Sequence, residues 1–324
     1  MKCFPFHTAT ISSAALRSVV FCFFIATATT VCAQDFDRID ATIQLYPETF
    51  DEVAQFDRFL SRDFNTDEEK VRAIYSWLIT NISYDPEAYK LFNYNFKDYR
   101  ERNQKEERSR KKIIEHTLRT GKAVCEGYAM TFEKLLTLQG IDNYLIQGDT
   151  KTHFKDIDRK FDLSHMWNAI KIDDAWYLFD TTWGAGKYTS KFIKEPSYYY
   201  YQIAPSEFIK THYPEDITDA FVVNPPAFET FSRQPIYIVS SLALSAYTTS
   251  YTGIIDSAQQ PDELEFGFKE TPSQIAYAYD GEMLPVNAIQ EAGEGVYFTI
   301  PLQRDAKTLL IYLDDKPVLA YIIK

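Results

Sequence analysis

Gly121-Lys-Ala-Val-Cys-Glu-Gly-Tyr-Ala-Met-Thr-Phe-Glu-Lys-Leu-Leu-Thr-Leu-Gln-Gly140 carries both a core helix and a reactive group. Tyr128, Ala129, Phe132, Leu135 and Leu136 recur at helical spacing and make one apolar stripe. Gly140 stands just past that stripe, where a helix end favours glycine. The pattern predicts a helix over Cys125–Leu138, with Cys125 at its start. A thiol attacks as its thiolate, and the unsatisfied N–H groups of a helix's first turn favour negative sulfur. The same groups suit the oxyanion of an acyl transfer.

A buried, inert thiol is the competing reading of Cys125. The chain has 4 cysteines, and Cys3, Cys22 and Cys32 precede the folded part. Residues 1–33 read as a secretory signal peptide. Lys2 and Arg17 are its positive charges, Val19–Val31 is apolar or small, and Val31-Cys32-Ala33 offers small residues for cleavage. Lipidation at Cys32 is the weaker alternative, because Val31 suits it poorly. The apolar run is too short for a stable membrane anchor. The expected location is therefore outside the cytoplasm, periplasmic or extracellular, with Cys125 the one thiol left and no disulfide partner within the chain.

A base for Cys125 must come from another element. Of His116, His153, His165 and His212, His165 alone lies in a strongly patterned strand. Leu163–Ile172 and Ala175–Thr182 read as two strands joined by the tight turn Asp173-Asp174. In that register His165 faces Thr182 and Trp167 faces Asp180, so all four side chains share one face of the ribbon. Asp180 becomes the diagonal neighbour of His165, within reach of a hydrogen bond. Cys125, His165 and Asp180 then form a nucleophile, base and orienting acid. Asp180 has a plainer reading too, as a cap for the Thr181-Thr182-Trp183-Gly184 turn.

Around this centre, Asp67–Ile82 reads as an amphipathic helix with acids in its first turn. Asp35–Phe50 is a lead-in. Lys97–Lys112 is a mixed charge run, read as a solvated and partly mobile insert. Tyr144–Gly148 reads as a strand and Lys151–Asp162 as a polar loop. A calcium loop over Asp156–Trp167 is rejected, since the turn glycine and the final Glu are missing. Lys187–Phe231 is irregular and aromatic. From Pro235 onward short alternating runs follow: Ile236–Ser240, Leu264–Phe268, Ile275–Tyr279, Val296–Ile300, Thr308–Leu313 and Val318–Ile323. They predict a small all-β domain, a sandwich of the immunoglobulin-like kind. The domain expectation is thus 1–33 leader, 34–232 catalytic core and 233–324 β domain. The net charge of -12 argues against nucleic acid as partner. No histidine pair has metal-ligand spacing, so neither metal nor cofactor is expected.

Gly121-Lys-Ala-Val-Cys-Glu-Gly-Tyr-Ala129, His165-Met-Trp-Asn168 and Trp176-Tyr-Leu-Phe-Asp-Thr-Thr-Trp-Gly-Ala-Gly186 together resemble the three blocks of the transglutaminase-like superfamily. The branch most resembled is the one containing the kyphoscoliosis peptidase. Ile82-Ser-Tyr-Asp85 and Pro205-Ser-Glu-Phe-Ile-Lys-Thr-His-Tyr-Pro214 resemble segments of that branch on either side. The resemblance covers roughly residues 65–231. It implies an α+β, papain-like core, in which a cysteine-bearing helix packs on an antiparallel sheet carrying His and Asp. It carries nucleophile, base and acid onto Cys125, His165 and Asp180. Met166 stands where Ala is commoner, a packing change. Trp167, Trp183 and Tyr128 are the candidate substrate-binding residues.

The expected function is acyl transfer on amide bonds of proteins or peptides through a Cys125 thioester. Water as acceptor makes a peptidase or amidase, and an amine makes a transglutaminase. The alternative is a non-catalytic module binding a protein or cell-envelope polymer.

Overall fold

Thr66 starts the central helix. Its Oγ1 accepts the Glu69 N–H at 3.2 Å, while Glu69 Oε2 accepts the Thr66 N–H, closing a capping box. The computed structural model describes residues 36–91, 99–238, 247–248, 251–269, 272–292 and 295–324. The leader expected over residues 1–33 lies outside them. The helix runs Asp67–Asn81, and every residue from Val71 to Ile79 is buried. It is therefore wrapped on all sides rather than on one face. Trp77 packs against Phe50 and Phe56 and donates its indole N–H to the Pro47 carbonyl at 2.9 Å. Arg72, buried with it, is answered by Asp40 through two hydrogen bonds of 3.0 and 2.6 Å. Asp40 belongs to a helix, Phe36–Ile43, so the expected lead-in is ordered structure. A second helix, Val53–Asp63, follows it.

The charge run is helical from Tyr99 onward. Tyr99–Thr120 is one helix of 22 residues. Ile113, Ile114, Thr117 and Leu118 bury its last turns, and Arg110 pairs with Glu133 of the following helix at 2.6 Å. Residues 97 and 98 lie outside the described residues. The next helix is Cys125–Leu138, as predicted. Gly127 permits the close approach of these two helices. A Cβ there would stand 2.6 Å from both Ala123 Cβ and Thr117 Oγ1.

The Cys125–Leu138 helix packs on an antiparallel sheet of four strands, in the order Ala175–Phe179, His165–Ile172, Asn143–Thr150, His212–Pro214. Asp173 and Asp174 both take positive φ, 47° and 65°, as a two-residue hairpin turn requires. The predicted register holds from Ile172↔Ala175 to Asn168↔Phe179. It stops there. Asp180 is the N-cap of a short helix, Thr181–Ala185, so the expected pairs His165↔Thr182 and Trp167↔Asp180 do not form.

The C-terminal part holds two further sheets. One has Tyr247–Thr248, Glu263–Phe268, Gly295–Pro301 and Ile289–Ala292 in that order. The other is built on Ile275–Tyr279, Thr308–Leu313 and Lys316–Ile323. Alternate residues of both sheets, among them Leu264, Phe298, Ile275 and Ile311, enter one hydrophobic cluster. Of the strand expected at Ile236–Ser240, Ile236–Tyr237 is present, and residues 239 and 240 lie outside the described residues. Glu282–Pro285, Ile289–Ala292 and two dipeptide strands are additional to the predicted set. Asp35–Lys324 is one compact unit. Ile157 packs with Ile236 and Ala320, and buried Lys151 donates to the Phe231 and Gln234 carbonyls at 2.6 and 2.8 Å. Among the described residues no helix is long and apolar enough to cross a membrane.

Candidate active site

Cys125 is the first residue of its helix, and Val124 precedes it in extended conformation without a side-chain cap. Its side chain is 7% exposed and packs with Ala129 and Met166. Met166 thus packs the His165–Ile172 strand against the Cys125 helix. Asn168, two residues on, donates its side-chain N–H to the Ala129 carbonyl at 3.0 Å. These two contacts hold His165, at the strand's first position, against the first turn of the helix.

His165 Nε2 lies 2.7 Å from Asp180 Oδ2. Burial opposes a charge on this ring. The Asp180 charge and hydrogen bond override it, with the Cys125 side chain adding both a hydrogen bond and a charge contribution, and the pKa is raised to about 10. With Nε2 turned to Asp180, Nδ1 is the ring nitrogen left for Cys125. The Cys125 Sγ–H also donates to Glu126 Oε2, at 3.8 Å.

Asp180 is 1% exposed and accepts on both oxygens. Oδ1 takes the backbone N–H groups of Thr182 at 2.8 Å and Trp183 at 3.0 Å. Oδ2 takes His165 and also His212 Nε2, the latter at 3.0 Å. Burial works against the carboxylate, but the two histidines hold its pKa well below the usual range. Capping the turn and orienting a histidine are therefore both true of this residue.

His212 was not among the residues that the sequence pattern singled out. It lies in a strand of three residues, His212–Pro214, too short to show a period. That strand pairs with Asn143–Thr150, which pairs in turn with the His165 strand, and so it reaches the site across the sheet. Burial among aromatic rings lowers the His212 pKa to about 4, against the pull of Asp180.

His165, Asp180 and His212 are all buried, and their ligand-type atoms lie within 4.8 Å of one another. Both imidazoles nonetheless aim at one carboxylate oxygen, at 2.7 and 3.0 Å. Ligand atoms around a tetrahedral zinc with bonds of 2.0–2.1 Å stand roughly 3.3 Å apart. The spacing is that of a hydrogen-bonded cluster.

The three residues expected at the substrate surface are placed differently from one another. Tyr128 is fully buried and donates its hydroxyl to the Ile82 carbonyl at 2.6 Å. Trp167 is 1% exposed and contacts both the His165 and the His212 ring. Both belong to the wall behind the site. Trp183 is partly buried, 4.4 Å from the His212 ring. Tyr84 sits at the opposite edge, through the parallel pairing of Ser83–Tyr84 with Lys122–Ala123. Burial, with charge contributions from Cys125 and Glu126 among others, raises its pKa to about 12.

Residues 55–181 match the model of the transglutaminase-like superfamily, so this segment has a transglutaminase-like fold. The chain is 29% identical to human kyphoscoliosis peptidase over 208 residues, which cover 62% of this chain and 29% of that protein. To the mouse kyphoscoliosis peptidase it is 30% identical over 179 residues, covering 54% and 25%. The chain spans less than a third of either relative. A solved structure described as a TGase covers 54% of this chain and 38% of its own, at 17% identity and a TM-score of 0.28.

Proposed function

We propose that the protein is a cysteine-nucleophile acyl-transfer enzyme acting on amide bonds of proteins or peptides. The observation that carries this reading is His165, hydrogen-bonded to Asp180 at 2.7 Å and with Cys125 among the groups that raise its pKa. In this mechanism Cys125 Sγ attacks the amide carbonyl as a thiolate. The Cys125 N–H, at the helix start, is the backbone donor for the resulting oxyanion. His165 passes its proton to the departing amine as the C–N bond breaks, leaving a thioester. It then takes a proton from water, which releases the acid, or from an amine, which forms a new amide. The kyphoscoliosis peptidases support hydrolysis as the first choice. We read 1–33 as an export signal and 233–324 as an immunoglobulin-like β domain that presents the enzyme to an envelope or extracellular substrate.

The test is alkylation of Cys125 by iodoacetamide as a function of pH, in the wild type and in His165→Ala. Fast alkylation at pH 6 that the substitution slows by about tenfold or more is expected. A free thiol titrates near 8.5 and reacts slowly there. Slow reaction in both proteins would leave a binding module as the better account.

A further inference from the structure

Asp180 Oδ2 has two imidazole partners where an orienting acid needs one. The second is built in with care. The His212 Nδ1 lies 2.8 Å from Thr211 Oγ1, whose hydroxyl can donate to it. Thr211 Oγ1 also lies 3.3 Å from the Phe208 carbonyl, and it is the acceptor-only Asp180 carboxylate that sets the ring's proton on Nε2. The ring stacks on Phe208 at 3.9 Å and 11° and contacts Trp183 at 4.4 Å. It is 0% exposed. Such an aromatic box disfavours a charge.

We propose that His212 is a positioning residue: as a neutral ring it donates Nε2–H to Asp180 Oδ2 and holds that oxygen in line with His165. The role rests on the reading of Cys125 and His165 as nucleophile and base. With Thr182 and Trp183 on Oδ1, His212 completes a shell of four donors around Asp180. A carboxylate with all its acceptor sites engaged stays ionised in a buried site and cannot rotate. One anion between two buried rings supports one imidazolium. The ring that also faces Cys125 takes the charge, and the other stays neutral. The remaining ionisable neighbours are Glu126 and Tyr84 beside Cys125, and Tyr75, Tyr128 and Tyr200 around Asp180, all three tyrosines kept protonated by burial.

His212→Phe keeps a ring in the box and removes the donor. Oδ2 is then free to turn from His165, whose positive charge loses support. His212→Gln restores an N–H donor without restoring a titrating ring. The pH–rate profile of iodoacetamide alkylation is measured for the wild type, both variants and His165→Ala, with thermal melts to establish folding. The midpoint of the profile is expected to rise by about one pH unit in His212→Phe, a tenfold loss of rate at pH 6, and to return most of the way in His212→Gln. If His212→Phe does not fold, His212→Gln decides: a near wild-type profile supports the role, and a profile like that of His165→Ala overturns it. A midpoint in His212→Phe that stays put or falls, while His165→Ala moves, overturns the role of His212 and leaves the nucleophile reading standing. A profile unchanged in His165→Ala removes the nucleophile reading and this role with it.

Discussion

Glu126 Oε2 stands 3.8 Å from Cys125 Sγ, so the proposed nucleophile has a carboxylate beside it. Like charges in contact disfavour one another. Glu126→Gln removes the charge and keeps the shape. The expected result is a faster alkylation of Cys125 at pH 6, by about threefold to tenfold at an effective dielectric suited to a partly buried pair. An unchanged rate would mean that Glu126 is turned to solvent and does not face the sulfur.

The two histidines on Asp180 make opposite contributions to stability against pH. His165, with its pKa raised to about 10, contributes fully below the ordinary 6.5, and the contribution is lost as pH rises toward 10. His212, lowered to about 4, works the other way. Its unfolded ring takes a proton as pH falls through 6.5 while the folded ring refuses it, so stability is lost between 6.5 and 4. Melting curves from pH 4 to 10 should therefore show His212→Gln losing less Tm on the acid side than the wild type. His165→Gln should lose less on the alkaline side. Each difference is expected at roughly 5 °C. Parallel curves for all three proteins would sink this assignment of charge.

Gly148 lies where two of the site's strands meet the third, opposite both His165 and Pro214. A Cβ at Gly148 would come within 2.2 Å of the Tyr213 carbonyl oxygen and 2.5 Å of the Trp167 ring. Gly148→Ala must therefore push the His212 strand outward. We expect a loss of about 1–3 kcal/mol in denaturant unfolding, as for other overpacked cores. Slower alkylation of Cys125 should accompany it. Full stability in the variant would contradict the close packing at this crossing.

The Cys125–Leu138 helix was legible to the residue, because its apolar stripe has one period and a glycine closes it. The hairpin register was legible for the same reason, in period two, as far as Phe179. Beyond that point alternation stops carrying information, since Thr181-Thr182-Trp183-Gly184-Ala185 leaves the sheet as a helix that Asp180 caps. The residue still reaches His165, by a route that strand geometry does not describe. The helix through the charge run went unread because its first turns show no apolar stripe. The apolar set Ile113, Ile114, Leu118 that anchors it lies just past its end. His212 showed no periodic signal, for it lies in a strand of three and the carboxylate it meets is 32 residues away.

Asp180 serves the backbone with one oxygen and two histidines with the other, and the two duties carry different evolutionary liabilities. A lineage that loses Asp180 forfeits the start of a helix and strands two buried imidazoles. A lineage that loses Cys125 forfeits little more than a small side chain against Ala129 and Met166. Silencing is cheap at the sulfur and costly at the acid. On the proposed reading of Cys125, a catalytically dead descendant of this fold would therefore keep its His–Asp–His cluster intact, and one codon change at position 125 would separate enzyme from stable scaffold.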